Sequence, residues 1–202
     1  WMISFIIFAL ATVLSLALGA VAHRNASAMG TVVLPQPDRW HDRATPTMGG
    51  VAIAVATFLA FAVGITQIQV LGTVIIWGSV LSAAFVMFFV GVLDDRLQLS
   101  PLAKLVASLI VGAFLVFVLT QNNAGGLPAG YILISTVWFA GICHAFNLLD
   151  NMDGLAVGVA LIAAAFFLWL QWGFLDQGLI LLLLSLAGAL FGFLYWNRSR
   201  AK

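Results

Sequence analysis

Apolar residues run along this chain in seven long stretches, separated by short polar or Gly- and Pro-rich breaks. The stretches cover residues 3–22, 48–65, 70–93, 102–120, 131–145, 155–172 and 179–196. A helix that crosses a bilayer needs roughly 20 predominantly apolar residues. Six stretches come close to or exceed that length, and the fifth is the shortest. Breaks such as "QNNAGGLPAG" at 121–130 carry the Gly, Pro and Asn of turns. The pattern predicts an all-α polytopic membrane protein with about seven transmembrane helices.

Composition agrees with that reading. Hydrophobic residues make up 63% of the chain and charged residues 7%, whereas a soluble domain carries about 25% charged residues. No soluble fold covers so much apolar surface, so the lipid bilayer is the first partner expected. No nucleic-acid partner is expected. The single cysteine, Cys143, allows no internal disulfide. With no internal repeat, low-complexity tract or soluble domain, residues 1–202 read as one integral-membrane domain. The chain begins with Trp1 and stops at Lys202 just after a basic cluster, which suggests a C-terminally incomplete fragment of a longer protein.

The few charges are unevenly placed. Seven spans put residues 23–47, 94–101, the "NLLDNMDG" segment and 197–202 on one side, with 66–69, 121–130 and 173–178 on the other. All eight Lys and Arg residues lie on or beside the first side. The positive-inside rule makes that side cytoplasmic and puts the N-terminus outside. Six of the seven acids, Asp38, Asp42, Asp94, Asp95, Asp150 and Asp153, share it, and only Asp176 lies opposite. Acids do not set topology, so their crowding on one face calls for another explanation. Trp138, Trp172 and Trp196 read as interfacial anchors.

Three clusters on that face carry candidate chemistry. In "FVGVLDDRLQLSP", Asp94 and Asp95 stand side by side where an apolar run ends. Adjacent carboxylates repel each other, and acids at a helix C-terminus oppose its dipole. A solvated helix end explains charge here, but lysine or arginine would be the cheaper choice. A divalent cation or a proton-transfer role would justify the acids. In "NLLDNMDGLA", Asn147, Asp150 and Asp153 are spaced three apart, which places all three on one helix face before Gly154 ends or bends the helix. That is an oxygen set suited to Mg²⁺ or to ribose and base groups; the plainer alternative is a polar loop with capping acids. In "PQPDRWHDRATPTMGGVAIA", Arg39, His41 and Arg43 precede Thr45 and the Gly49–Gly50 pair at the start of a span. Backbone N–H groups at a helix N-terminus beside basic side chains suit phosphates, although positive-inside arginines and a small-residue helix start explain the same letters. Together the clusters suggest a pyrophosphate substrate, with a lipid as second substrate at the bilayer edge. An ion-coupled transporter is the rival from another class, but such relays place acids near the midplane rather than at one edge. A non-catalytic, truncated membrane subunit is the third.

"TPTMGG", "GVLDDRLQLSPLAKL" and "AFNLLDNMDGLAVG", in this order, resemble the polyprenyl-phosphate N-acetylhexosamine-1-phosphate transferase family. The resemblance runs from about Pro35 to the end and looks closer to the bacterial GlcNAc-1-phosphate branch than to the phospho-MurNAc-pentapeptide translocase branch. It implies an Mg²⁺-dependent enzyme, with Mn²⁺ as a substitute, in the bacterial cytoplasmic membrane with its active face cytoplasmic. The reaction would transfer N-acetylhexosamine-1-phosphate from a UDP-sugar to undecaprenyl phosphate and release UMP, an early membrane step of cell-envelope polysaccharide synthesis. Homodimers fit such a family. By position, Asp94 and Asp95 match its paired catalytic acids, Asn147 and Asp95 its metal residues, and Arg43, Thr45, Gly49, Gly50, Asp150 and Asp153 its substrate-binding positions. Two departures stand out. His144 occupies a place where the family usually has Asn, and the chain stops at "YWNRSRAK", before the family's "MGD" loop. A protein truly ending at Lys202 is therefore expected to have an incomplete site and little or no activity.

Overall fold

The structure is a computed structural model that describes residues 2–25, 32–33, 45–46, 49–67, 71–121, 128–150, 153–171 and 176–197. Seven helices follow the hydrophobic pattern: α1 (Met2–Asn25), α2 (Gly49–Ile65), α3 (Leu71–Leu97), α4 (Pro101–Thr120), α5 (Ala129–Leu149), α6 (Leu155–Leu170) and α7 (Gln177–Asn197). Five of them, α1, α3, α4, α5 and α7, are long and apolar enough to cross a membrane. At 17 and 16 residues, α2 and α6 are shorter apolar helices. The expected all-α polytopic architecture holds. One small addition is a two-residue antiparallel ladder between β1 (Val32–Val33) and β2 (Thr45–Pro46), pairing Val32 with Pro46 and Val33 with Thr45.

Two helix ends differ from the sequence expectation. The third apolar run stops at Leu93, but α3 continues through Leu97, because a helix is held by its backbone hydrogen bonds and does not stop where apolarity stops. The fifth, shortest run belongs to a full 21-residue helix that continues through Asn147 to Leu149.

The chain forms two compact units: residues 1–70 with 149–202, and residues 71–148. In the first, α7 packs against α1, α2 and α6. Half of its apolar window is buried. Small residues make this possible. A methyl group at Gly188 or Gly192 would run into the backbone carbonyl oxygens of Phe8 and Thr12, so the "GALFG" stretch lets α7 lie directly on the α1 backbone. Ile7, Ala11, Ala56, Ala60, Phe61 and Ala189 are almost wholly buried around this contact. Trp196 also turns inward, and its indole N–H donates to the Leu16 carbonyl at 3.1 Å. Gly19 leaves room for that ring. Trp138, by contrast, lies near the middle of α5 with 70% of its surface exposed, away from the helix end expected of an interfacial anchor. Trp172 lies outside the described residues.

In the second unit α3 and α4 form a hairpin. α4 reaches α5 through Gly112, whose missing side chain admits Phe139, and through Ser108 beside His144. Outward faces of α3 and α5, including Phe85, Phe89, Ile134 and Val137, are exposed apolar surface of the kind that meets acyl chains.

Candidate functional site

The paired aspartates sit in the last turn of α3, and the sequence around them builds a tight corner. Gln98 takes a left-handed backbone (φ 50°) just past the helix, and its amide returns to the Asp94 carbonyl at 2.8 Å. Ser100 then caps α4, its Oγ accepting the Ala103 N–H at 3.2 Å, and Pro101 occupies the first helical turn. This is the "LSP" signal at work: Ser and Pro fix where α4 begins, and so place Lys104 one turn in.

The two carboxylates differ in their surroundings. Asp94 Oδ1 accepts the Leu99 N–H at 3.0 Å, and Oδ2 accepts the Lys104 ammonium at 3.0 Å. The Asp94 and Lys104 side chains are 23% and 27% exposed, so the pair is partly withdrawn from water. Asp95 is exposed and has no hydrogen-bonding or ion-paired partner among the described residues. Neighbouring residues on a helix point about 100° apart, so only one of the two side chains faces the corner. Arg96, in the same turn, complements the negative end of the α3 dipole.

One helical stripe of α4, Lys104, Ser108 and Gly112, serves both neighbours. Lys104 reaches α3. Ser108 is fully buried, and its hydroxyl donates to the Leu105 carbonyl at 2.9 Å. Its Oγ also lies 3.4 Å from His144 Nε2, a contact whose donor depends on the ring tautomer. Asn147 lies one turn beyond His144, exposed, in the last turn of α5. The 71–148 unit thus brings Asp94, Asp95, Lys104 and Asn147 to one end of its helices.

The other unit gathers a second set at one end. Gly49 starts α2, where a Cβ would strike the Phe193 ring of α7. Gly154 starts α6 with φ +73° and lies beside Leu194 and the Asn197 carbonyl. The His23 ring of α1 meets Trp196 edge-on at 5.7 Å. The α2 and α6 N-termini therefore lie at the C-terminal ends of α1 and α7. Gly50, Asp150 and Asp153 are exposed. A methyl group at Gly49 would force the Phe193 ring to shift, while one at Gly50 would meet open space. Thr45 lies in β2 by its backbone, and Arg43, Arg39 and His41 lie outside the described residues.

One expectation is corrected. Asn147, Asp150 and Asp153 do not share one helix face, because α5 ends at Leu149, Asp150 and Asp153 lie in turns, and Gly154 begins α6 instead of ending a longer helix. The left-handed backbone at Gly154 is one a continuous α-helix does not adopt. Asn147 belongs to one unit, and Asp150 and Asp153 to the other.

As a metal site the donors are hard oxygens: the exposed Asp95 carboxylate and the Asn147 amide. Among the described residues no three His, Cys, Asp or Glu side chains cluster. Mg²⁺ commonly binds through one or two carboxylates, waters and substrate phosphates instead of a complete protein cage, and Asp95 and Asn147 are oxygen groups of the kind it takes. Sequence reasoning missed Lys104 as the Asp94 partner, having counted it only among the topological cations. The Ser-Pro start of α4 was the signal that could have found it.

Comparison with known proteins bears on the same segments. The sequence profile of glycosyl transferase family 4 matches residues 77–202. A phospho-N-acetylmuramoyl-pentapeptide-transferase of Lactobacillus gasseri is 29% identical over 86% of this chain and 60% of its own length. A probable undecaprenyl-phosphate N-acetylglucosaminyl 1-phosphate transferase of Bacillus subtilis is 29% identical over 90% of this chain and 52% of its own. A decaprenyl-phosphate N-acetylglucosaminephosphotransferase of Mycobacterium tuberculosis is 31% identical over 88% and 49%. The chain thus spans between about half and three-fifths of the length of these relatives.

Proposed function

The chain belongs to glycosyl transferase family 4, and from that membership we propose that its parent protein transfers N-acetylhexosamine-1-phosphate, with GlcNAc as the sugar, from a UDP-sugar to undecaprenyl phosphate. The observation that carries the reading is the α3–α4 corner, an exposed carboxylate at the end of a membrane helix beside a fixed Asp94–Lys104 pair. A polyprenyl phosphate is held at the bilayer edge, where such a corner lies, and a sugar nucleotide arrives from water. The positive-inside distribution supports reading that edge as cytoplasmic, and the bacterial relatives support the inner membrane as its place.

In the reaction, an oxygen of the lipid phosphate attacks the phosphorus that bears the sugar. A new phosphoanhydride bond forms, the bond to the UMP oxygen breaks, and UMP leaves. A phosphate monoester has a second pKa of about 6, so the nucleophile is largely dianionic already and little proton removal is needed. Direct attack is favoured over a covalent aspartyl intermediate for that reason. Asp95 and Asn147 would hold Mg²⁺, with Mn²⁺ as a substitute. Bound there, Mg²⁺ supplies charge neutralisation for the phosphates. Gly50, with the N–H groups of the α2 start, and Arg43 and Thr45 would meet phosphate, while Asp150 and Asp153 would meet the nucleotide.

A second reading, transfer of phospho-MurNAc-pentapeptide, is supported by the identity to the Lactobacillus relative. UMP release by the full-length gene product, with undecaprenyl phosphate and Mg²⁺, tests both. Release from UDP-GlcNAc and not from UDP-MurNAc-pentapeptide is expected. The reverse pattern would establish the second reading, and release from neither would refute both.

A further inference from the structure

Lys104 is the polar feature that the proposed reaction leaves unused. A lysine near a membrane surface ordinarily extends its ammonium into water. Here the side chain is 27% exposed, and the ammonium lies across the corner, 3.0 Å from Asp94 Oδ2. The other Asp94 oxygen is taken by the Leu99 N–H. Both oxygens of Asp94 are therefore engaged within the corner, while Asp95 next to it has no partner among the described residues.

We propose that Lys104 is a positioning residue, which commits Asp94 to the α3–α4 corner and leaves Asp95 as the single carboxylate of the pair that meets metal or phosphate. The inference rests on the transferase reading and divides a pair that the sequence treats as equivalent. Three observations support it. Adjacent helix residues diverge by about 100°, so fixing Asp94 into the corner turns Asp95 out of it. Two free carboxylates would repel an incoming dianionic phosphate, and an ammonium beside one of them lowers that repulsion. Lys104 also lies on the α4 stripe with Ser108 and Gly112, which ties α4 to the helix bearing Asn147. The lysine thus keeps the Asp95 end of α3 in register with that stripe.

The test is UMP release per folded molecule by the full-length protein, with melting temperature measured alongside. Lys104→Met is expected to lower kcat by about a hundredfold, as a displacement near 1 Å does, with KM for the sugar nucleotide little changed and a higher Mg²⁺ requirement. Lys104→Arg should restore most of the rate. Leu183→Ala, in the buried core of the other unit, should lower melting temperature and leave kcat per folded molecule unchanged. If Lys104→Met does not accumulate, the double variant Asp94→Asn with Lys104→Gln decides. Its amide pair keeps the hydrogen bond without charge and should recover kcat to within about tenfold of wild type, as coupled residues do in a double-mutant cycle. Three results would overturn the proposal. They are an unchanged kcat in Lys104→Met, a raised KM at unchanged kcat (the mark of a direct phosphate ligand), or a double variant as inactive as Asp95→Asn. A wild-type protein that releases no UMP would overturn the transferase reading, and this inference with it.

Discussion

The two compact units are held together by different means. In the 1–70 and 149–202 unit, half of the α7 window is buried, and its glycines let helix backbones touch. In the 71–148 unit, only 6% of the α3 and α5 windows is buried, and two polar ties, Asp94–Lys104 and Ser108–His144, stand beside the Gly112–Phe139 contact. Apolar contact between helices offers little net gain where acyl chains are just as apolar, so association in lipid relies on close packing and hydrogen bonds. The first unit leans on one device, backbone-close packing, with the Trp196–Leu16 hydrogen bond beside it, and the second leans more on the other, polar ties. The unit with few packing contacts is also the one that carries the paired aspartates, and its polar ties lie toward the aspartate end of its helices.

Substitutions that attack one device should spare the other. The largest effect is expected from Gly192→Leu, which drives a side chain into the Thr12 carbonyl. It should destabilise the protein by about 3 kcal/mol or more, read as lost thermal stability in detergent. Gly49→Ala forces a methyl against the Phe193 ring and should cost about 1–3 kcal/mol. At Gly50, where the same methyl meets open space, alanine should instead stabilise by about 0.5–1 kcal/mol. Smallest of all is Ile134→Ala on the exposed face of α5, expected within about 0.5 kcal/mol. A loss at Ile134 as large as at Gly192 would mean that the α5 face is packed against protein, and the contrast between the units would fail.

Hydrophobic patterning revealed the seven helices because each apolar stretch needs one helix to satisfy its backbone in lipid. It revealed helix ends less well. Asp94 to Leu97 are polar or mixed yet helical, since the corner is set by Gln98, Ser100 and Pro101, not by hydropathy. The candidate acids were legible by position alone. Their partners were not: the Asp94–Lys104 pair joins residues ten apart across a corner, and Gly49–Phe193 joins residues far apart in the chain. The even spacing of Asn147, Asp150 and Asp153 looked helical, and only the backbone at Gly154 shows the break. Glycine in "TPTMGG" has two readings, phosphate contact and packing, and the letters do not separate them. A side chain at Gly49 would meet the Phe193 ring, and one at Gly50 would meet open space; neither observation bears on their backbone N–H groups.

The account centres on Asp95 as a working carboxylate on a corner that does not need it for stability. Asp95→Asn in the full-length protein, followed by UMP release from UDP-GlcNAc and by thermal unfolding, tests this most directly. The account predicts turnover reduced by about a thousandfold or more, the scale of removing a principal charge-stabilising group, with stability within about 0.5 kcal/mol of wild type. Turnover near wild type, or a loss of activity that merely follows a loss of fold, would contradict it.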